Sequence, residues 1–376
     1  MRPRPVRLER LPEQYFTRLL ARVAAVAAQG GERLVDLGRG NPDVPPPAHV
    51  VEALARAARR SDTHGYAPFA GIAALKEAIA ARYRDVYGVA IDPEREVAVL
   101  PGSKTGLIEF AQVTTERGEA IVLPDPGYPD YRSAIAIAAA EHVALPLLDD
   151  GRPDWDAAPR DGAAALYLNY PSNPVAVCVP DGVFDEAIAW AQRTGTLVLH
   201  DFAYGDLVFD GRRPQSFLAH DGAREVGLEL FSMSKSYGMA GWRLGFAVGN
   251  AELVARIEDL QNHVFAGVFM PVQEAGVAAL TGPQETVEER RTLYEARRDR
   301  AVAALPGLDA RGEGTFFVWF RLPDGITCEW LLEEHRVAVA PGEGFGSRGG
   351  GWARLSVATP DDALDLGLER LTAALP

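Results

Sequence analysis

The distribution of apolar residues divides the chain into a helical beginning, a central part of short strands and a mixed end. Residues 12–29 carry apolar side chains at helical spacing and stop at two glycines, which predicts a helix. Further helices are predicted around 47–60 and 71–87, and a long charged helix at about 284–304. The stretch "RLVDL" predicts a short strand, followed by a rigid, proline-rich loop.

Seven short apolar runs begin at about residue 96, and loops or helical stretches separate them. They read EVAVL, AIVLP, HVALPLL, AALYLNY, TLVLHD, LELFSMS and LGFAVGN. Apolar strands that alternate with helices are typical of a mostly parallel sheet covered on both faces, which predicts an α/β domain. Three later runs, TFFVWFRL, RVAVAP and ARLSVA, predict a smaller α+β domain in the last third.

Length and composition indicate a globular protein of two domains. At 376 residues the chain is longer than a single hydrophobic core usually supports. Its 47% hydrophobic and 24% charged residues are ordinary for a soluble protein. The formal net charge of −14 argues against a nucleic-acid partner, because a phosphate backbone requires a basic surface.

Cysteine use and the absence of long apolar runs predict a cytoplasmic location. Cys178 and Cys328 stand far apart with no metal-binding motif, so we expect neither a disulfide framework nor a metal site. The first 16 residues lack the apolar core of a secretory signal. No run of about 18 apolar residues occurs, so no membrane association is expected.

Polar motifs follow five of the seven predicted strands. They are PGSKTG after the first, PDPGYPDY after the second, NYPSNP after the fourth, HDFAYGD after the fifth and SMSKS after the sixth. In open parallel sheets, ligands bind outside the carboxyl ends of the strands. The sequence therefore predicts one ligand site along this edge of the sheet.

The turn PGSKTG, residues 101–106, is suited to a phosphate group. It places glycine and small polar residues between a strand and a helix, where backbone N–H groups and the helix dipole favour an anion. The spacing of a P-loop is absent. Taken alone, the motif is a weak signal that more often marks an ordinary strand-to-helix turn.

Asp201 and Lys235 raise the possibility of covalent cofactor chemistry. A carboxylate after an apolar strand is costly unless it is paired. Asp201 therefore either caps a helix or balances a cationic ring nitrogen, with Tyr204 donating a hydrogen bond to the same ligand. Lys235 is either a solvated loop lysine or the amine of a Schiff base, which needs a nearby carboxylate and a phosphate site. Ser232, Ser234 and Arg243 could hold that phosphate.

Together these motifs resemble the class I/II aminotransferases of fold type I, which use pyridoxal 5′-phosphate (PLP). The resemblance runs from DLGRGNPD through YAPFAG, PGSKTG, PDPGYPDY, NYPSNP and HDFAYGD to SKSYGMAGWRLGFAVGN and the final RLSVA. It is closest to the bacterial branch of methionine-salvage, diaminopimelate and alanine aminotransferases. It implies a seven-stranded large domain at 46–283, a smaller domain at 1–45 and 284–376, and a homodimer with shared active sites.

The resemblance also implies a role for each matching residue. Lys235 would form the Schiff base and shuttle a proton, and Asp201 would keep the pyridine nitrogen protonated. Arg354 would clamp the substrate α-carboxylate, with Gly40 on the opposite wall. The remaining implied cofactor contacts are Asn173 and Tyr204 on the ring hydroxyl, Tyr128 on the ring face, Ser103, Lys104, Ser232, Ser234 and Arg243 on the phosphate, and Tyr66 on the phosphate of the neighbouring subunit.

Two departures leave the reaction open. The family usually has NPTG where this chain has Val175 and Ala176 in NPVAVC, which reflects neutral change or an altered reaction. Arg39 stands at the expected substrate wall, where it either meets a polar or negatively charged substrate group or points to solvent.

We predict amino transfer between an L-amino acid and a 2-oxo acid by a ping-pong mechanism. The alternative is a PLP-dependent lyase, cyclase or C–C bond-forming enzyme of specialised biosynthesis. A non-catalytic protein that retains the fold is disfavoured, because Lys235, Asp201 and Arg354 are all present.

Overall fold

The computed structural model describes residues 6–375. The α-helices are α1 (Val6–Glu9), α2 (Tyr15–Ala27), α3 (Ala48–Ala58), α4 (Ala73–Arg82), α5 (Ser103–Thr114), α6 (Tyr131–Ala138), α7 (Val183–Thr194), α8 (Ala223–Val226), α9 (Met233–Ser236), α10 (Ala251–Val264), α11 (Met270–Thr281), α12 (Glu285–Ala303), α13 (Cys328–Glu334) and α14 (Asp361–Ala374). The helices predicted from apolar spacing are all present, and α4 continues as a π-helical turn over Tyr83–Tyr87. No helix within the described residues is long and apolar enough to span a membrane.

The strands coincide with the apolar runs of the sequence. They are β1 (Val35–Asp36), β2 (Val97–Leu100), β3 (Ala120–Asp125), β4 (Glu141–Pro146), β5 (Ala165–Asn169), β6 (Leu197–Asp201), β7 (Gly227–Ser232), β8 (Gly245–Gly249), β9 (Phe317–Arg321), β10 (Val337–Ala338), β11 (Ala340–Pro341) and β12 (Trp352–Ser356).

A seven-stranded sheet in the order β2-β8-β7-β6-β5-β3-β4 forms the centre of the fold. Strand β8 runs antiparallel to both of its neighbours, and the other pairs are parallel. The carboxyl ends of β2, β3, β5, β6 and β7 therefore lie along one edge. The predicted α/β class and mostly parallel seven-stranded sheet are confirmed.

The apolar strands are explained by helices packed on both faces of the sheet. Ala98 and Leu100 of β2 face a core shared with α5, α6 and α10, while Val97 and Val99 face the larger core on the other side. Successive strand residues point to opposite faces. Most positions are therefore apolar where both faces are covered, and the buried His200 and Glu229 are paired with each other at 2.8 Å.

Two smaller sheets join segments that are distant in the sequence. Strand β1 pairs in parallel with β10, and β12 lies between β11 and β9 in an antiparallel sheet. This arrangement brings a segment near the beginning of the chain against its last third. The domain boundaries at residues 46 and 283 stay a prediction.

Candidate active site

A cavity of about 290 Å³ opens at the carboxyl ends of the central strands. Ten residues singled out in the sequence line it: Arg39, Gly40, Ser103, Lys104, Tyr128, Asn173, Asp201, Tyr204, Lys235 and Arg354. Its volume lies near the lower end of the range for small-molecule pockets. The cavity therefore unites residues from five strand ends and from the small sheets.

Lys235 lies at the base of this cavity on the short helix α9. Ser232 caps this helix, since its hydroxyl oxygen accepts a hydrogen bond from the Ser234 N–H at 3.3 Å. The Lys235 Nζ lies 5.1 Å from the ring centre of Phe316 and 5.5 Å from that of Tyr204. Burial, with the nearby charges of Arg354 and Arg243, lowers the pKa of Lys235 to about 8.

The chain contains three lysines, and their environments differ. Lys76 Nζ lies 2.6 Å from a carboxylate oxygen of Glu258, and Lys104 Nζ lies 2.7 Å from one of Asp130. Within the described residues Lys235 has no carboxylate oxygen within 4.0 Å of its Nζ. A lysine without a partner at a buried position loses its proton more easily, which makes its amine available as a nucleophile.

Asp201 ends β6 and is buried beside the cavity. Its Oδ2 accepts a hydrogen bond from the Tyr131 hydroxyl at 2.8 Å, and its Oδ1 accepts one from the Ala203 N–H at 3.2 Å. Burial raises the pKa of Asp201, while these two hydrogen bonds favour its charged form and oppose that effect. No described helix begins here, so Asp201 does not cap a helix.

The candidate phosphate residues cluster at the first turn of α5. Gly102 precedes this 12-residue helix with a φ of +87°, and the Arg243 guanidinium packs so closely on it that a Cβ would collide. Gly245, paired with Ser232 across β7 and β8, lies directly against the Ser103 N–H. Backbone N–H groups and a guanidinium thus converge where a helix dipole favours an anion.

Arg354, on β12, is buried and has no carboxylate partner within the described residues. Its Nη1 donates to Asn173 Oδ1 at 2.7 Å and its Nη2 donates to the Gly38 carbonyl at 3.1 Å. Burial lowers the pKa of Arg354 to about 10. A buried cation without a counter-ion is costly unless an anion arrives to pair with it.

Three aromatic rings surround the Arg354 guanidinium. Its Cζ lies 3.8 Å from the ring centre of Phe317, 4.8 Å from that of Phe345 and 5.3 Å from that of Phe16. The negative faces of these rings attract a guanidinium. We call Phe16, Phe317 and Phe345 the aromatic cage.

Gly40 borders the same wall. A Cβ at Gly40 would lie 2.8 Å from the Phe317 ring and 3.6 Å from the Arg354 Nη2. Only a residue without a side chain fits this close approach, which keeps the space in front of Arg354 open.

Asp130 organises the mouth of the cavity. Its Oδ2 accepts a hydrogen bond from the Tyr128 hydroxyl at 2.7 Å and lies 2.7 Å from Lys104 Nζ, while its Oδ1 accepts one from Gln14 Nε2 at 3.0 Å. Arg39 lies at the same mouth and is exposed. Its charge therefore faces the cavity entrance rather than a buried partner.

Tyr66 lies outside the cavity of its own chain. Its side chain is 86% exposed, on a loop beside Phe69. The chain does not bring Tyr66 to its own Lys235, so any contact with a cofactor must come through another copy.

Sequence reasoning missed Tyr131 and the aromatic cage. Tyr131 lies within the quoted motif PDPGYPDY, yet its hydrogen bond to Asp201 joins residues 70 positions apart. Phe317 and Phe345 look like ordinary core residues in the sequence. Asn169 was also missed, and its Nδ2 donates to the Asp201 carbonyl at 2.9 Å.

Comparison with known proteins identifies the family. Residues 32–371 match the sequence model of the family Aminotransferase class I and II. The chain belongs to the class I and II aminotransferases. It is 42% identical over 369 residues to L-glutamine–4-(methylsulfanyl)-2-oxobutanoate aminotransferase of Bacillus subtilis (strain 168), covering 95% of this chain and 92% of the relative.

Other relatives support the same branch of this family. The chain is 36% identical to the LL-diaminopimelate aminotransferase of Moorella thermoacetica, with coverage of 98% of this chain and 97% of the relative. It is 38% identical to the glutamate-pyruvate aminotransferase AlaC of Escherichia coli, with coverage of 91% and 87%. The structure of substrate-bound BacF from Bacillus subtilis superposes with a TM-score of 0.94 at 38% identity, covering 100% of this chain and 99% of that one.

The aminotransferase family is PLP-dependent, and the fold is fold type I. The residues of the cavity fit this cofactor: an unpaired lysine for its aldehyde, a buried carboxyl group for its ring and a cradle of N–H groups at a helix N-terminus for its phosphate. The prediction of a PLP-dependent aminotransferase from sequence is confirmed.

Val175 and Ala176, which depart from the family motif, do not line the active-site cavity. Val175 lines a separate cavity with Trp319 and Trp352, and Ala176 is buried in the hydrophobic core. Ala176 keeps a left-handed φ of +59°, so the alanine follows a backbone path that usually favours glycine. This departure therefore gives no support to an altered reaction.

Proposed function

We propose that Lys235 is the residue that bonds to PLP, and that the cavity transfers an amino group between an L-amino acid and a 2-oxo acid. The observation that carries this proposal is the environment of Lys235. Of the three lysines it alone lines the cavity without a carboxylate partner, and its pKa is lowered to about 8.

The cofactor wall uses residues of the large sheet. Bound PLP supplies an aldehyde that condenses with amines and a ring that accepts electrons from the substrate α-carbon. Lys235 Nζ carries a proton to and from that carbon, since an amine with a pKa of about 8 exchanges protons readily near neutral pH. Asp201 would keep the ring nitrogen of bound PLP protonated, and Tyr131 keeps the carboxylate of Asp201 oriented.

Other residues hold and orient the cofactor. Asn173 and Tyr204 would hydrogen-bond the ring hydroxyl of bound PLP, and Tyr128 would stack on the ring. The phosphate would be held by a set of N–H, hydroxyl and cationic groups: Ser103, Lys104, Ser232, Ser234 and Arg243.

The substrate wall binds the α-carboxylate through Arg354. A carboxylate entering the cavity meets a buried guanidinium that has no ionic partner. Its binding is a charge-assisted contact with a buried guanidinium, and such contacts are stronger than those between neutral groups. This contact would anchor the substrate in the same cavity that Lys235 lines.

We further propose that the preferred substrates carry a short apolar stem with a polar end. Phe16, Leu19 and Leu20 form an apolar wall of the cavity, and Arg39 adds a cation at its mouth. Glutamine and glutamate have this shape. A substrate of this kind agrees with the names of the relatives from Bacillus subtilis and Escherichia coli.

A homodimer and a cytoplasmic location complete the proposal. Tyr66, Phe69, Val264 and Phe269 are exposed apolar side chains, and the loop at Gly267 approaches Pro68. Such a patch is typical of a protein interface and would bring Tyr66 to the cavity of a second copy. The two cysteines are free thiols, as expected in a reducing compartment.

A visible absorption spectrum tests the reaction. PLP-loaded protein is mixed with each amino acid in turn, without an acceptor, and the conversion of cofactor from the aldehyde to the amine form is recorded. Conversion by one or a few amino acids supports transamination and identifies the donor. If substrates bind but the amine form never accumulates, the proposed reaction is wrong.

Borohydride reduction followed by peptide mapping tests the residue. Because the chain has three lysines, a cofactor adduct can be assigned to Lys76, Lys104 or Lys235 without ambiguity. An adduct on either of the other two lysines would contradict the assignment of Lys235.

A further inference from the structure

Asp125 ends β3 and is buried where the large sheet meets the last third of the chain. Its Oδ2 accepts hydrogen bonds from the Ser347 N–H at 3.2 Å and the Ser347 hydroxyl at 2.5 Å, and its Oδ1 accepts one from the Arg348 N–H at 3.1 Å. The Gly127 N–H donates to the Phe345 carbonyl at 2.8 Å. We call this set of contacts between residues 125–127 and 345–348 the Asp125 latch.

Gly346 makes the latch possible. Its φ is +150°, a conformation that residues with a side chain rarely adopt. A Cβ at this position would collide with the Asp125 carboxylate. By contrast, a Cβ at Gly350, four residues later, meets nothing within 4 Å, and its φ is −56°.

The latch reaches both walls of the cavity. On one side, Phe345 belongs to the aromatic cage, with its ring centre 4.8 Å from the Arg354 guanidinium carbon, and it also packs 5.9 Å from Trp319 and 5.3 Å from Tyr15. On the other side, Tyr128 follows Asp125 by three residues and lines the cavity. Displacement of the latch would therefore move one ring of the cage away from Arg354.

We propose that Asp125 is a positioning residue, which holds the Phe345 segment in place and thereby sets the affinity of Arg354 for the substrate carboxylate. The proposal depends on the role proposed above for Arg354. Apparent affinity falls in proportion to the fraction of molecules in the binding-competent arrangement. Loss of the latch lowers that fraction before substrate binds, while a bound carboxylate restores the arrangement.

This role predicts a specific kinetic pattern. The KM for the amino donor should rise about tenfold in Gly346→Ala and Asp125→Asn, with kcat changed less than about twofold. Ser347→Ala, which removes one of the three hydrogen bonds to Asp125, should raise KM about threefold. The affinity for PLP should change much less than KM, since among its proposed contacts only Tyr128 lies close to the latch in the chain.

Gly350→Ala is the matched control, because it adds the same methyl group to the same segment in open space. The donor used is the amino acid that converts the wild-type cofactor fastest in the absorption screen. The proposal is overturned if KM is unchanged in Gly346→Ala and Asp125→Asn, or if Gly350→Ala raises KM equally. It is also overturned if kcat and PLP affinity fall as much as KM rises, which would indicate general damage to the fold.

Hydrogen exchange of the PLP-loaded protein without substrate provides a second readout. The amides of Ser347 and Arg348 should exchange at least tenfold faster in Gly346→Ala than in Gly350→Ala, and so should neighbouring amides on β12. If these amides were equally protected in the two variants, the proposed role of the latch would be wrong. If wild-type protein converts no amino acid, the proposed function fails, and this comparison still decides whether Asp125 holds the segment.

Discussion

The two walls of the active-site cavity are built on different principles. On the cofactor wall, the functional side chains stand at or near strand ends of one sheet, as Asp201 does at the end of β6 and Lys235 does after β7. On the substrate wall, Arg354 is held by rings from three separate segments of the chain, and Phe16 lies about 300 residues before Phe317 and Phe345.

The two walls therefore differ in how rigidly their residues are held. Parallel strand ends are fixed by the hydrogen bonds of the whole sheet, so the cofactor wall is rigid and its chemistry is set by residue type. The substrate wall depends on how separate segments pack together. Its affinity can therefore change without any change of a group that touches the cofactor.

The strongest test of the cofactor wall is Lys235→Ala. Removal of the amine should abolish covalent attachment of PLP and reduce turnover about a thousandfold or more, because both the covalent step and the proton transfer are lost. Lys76→Ala, which removes a lysine paired with Glu258 outside the cavity, is the control and should remain active. Borohydride-stable attachment that persists in Lys235→Ala would refute the assignment.

Asp201→Asn tests the same wall with a nearly isosteric change. The amide cannot hold a proton on the ring nitrogen, so kcat should fall about a hundredfold to a thousandfold while the substrate KM changes little. Rapid-mixing absorption, which follows removal of the substrate α-proton, should show that this step has become slow. If only KM changed, the assignment of Asp201 to the cofactor wall would be wrong.

Arg354→Gln tests the substrate wall. Loss of a buried charge-assisted contact costs about 2–5 kcal/mol of binding, so KM for the amino donor should rise at least thirtyfold. Lys235 should still bind PLP normally in this variant. Arg321→Gln, an exposed arginine on the neighbouring strand β9, serves as the control. Unchanged binding of carboxylate substrates in Arg354→Gln would show that Arg354 does not bind the substrate carboxylate.

The same contrast explains what the sequence could predict. The positions of Asp201 and Lys235 follow from strand patterns and from the rule that ligands bind at the carboxyl ends of parallel strands. All seven strands of the large sheet occur where apolar runs stand, because a sheet covered on both faces requires them.

Other features depend on contacts that sequence spacing does not encode. Asp125 binds residues 222 and 223 positions away, and Tyr131 binds a carboxylate 70 positions away. The family motif drew attention to the side chains of Val175 and Ala176, yet the structure turns them away from the cavity. Such facts come from packing and backbone conformation, which a pattern of residue types does not determine.

The smallest expected effect concerns Glu109 on α5, the helix whose first turn forms the phosphate cradle. Glu109 is buried, and burial raises its pKa from 4.5 to about 7. Its Oε2 accepts a hydrogen bond from Gln261 Nε2 at 3.0 Å, while Gln261 Oε1 is buried without a partner in the described residues. A protonated Glu109 could donate to that oxygen, so the folded protein favours the neutral acid.

The raised pKa of Glu109 makes its contribution to stability fall as pH rises. Because the folded-state pKa lies above the ordinary value, the contribution of Glu109 to stability is fully present below about pH 4.5 and is lost as pH rises through about 7. The shift from 4.5 to about 7 corresponds to about 3 kcal/mol at most. Glu109→Gln can make both amide hydrogen bonds at any pH, and its unfolding midpoint should lack this part of the pH dependence.

Urea unfolding of wild type and Glu109→Gln at pH 5, 6, 7 and 8 measures the difference. Wild type should lose stability relative to the variant as pH rises, while the KM for the amino donor stays equal in the two proteins at each pH. A constant stability difference would show that Glu109 is already ionised. A change in KM would instead show that the packing of α5 affects the substrate wall, so the two walls would not be as independent as their construction suggests.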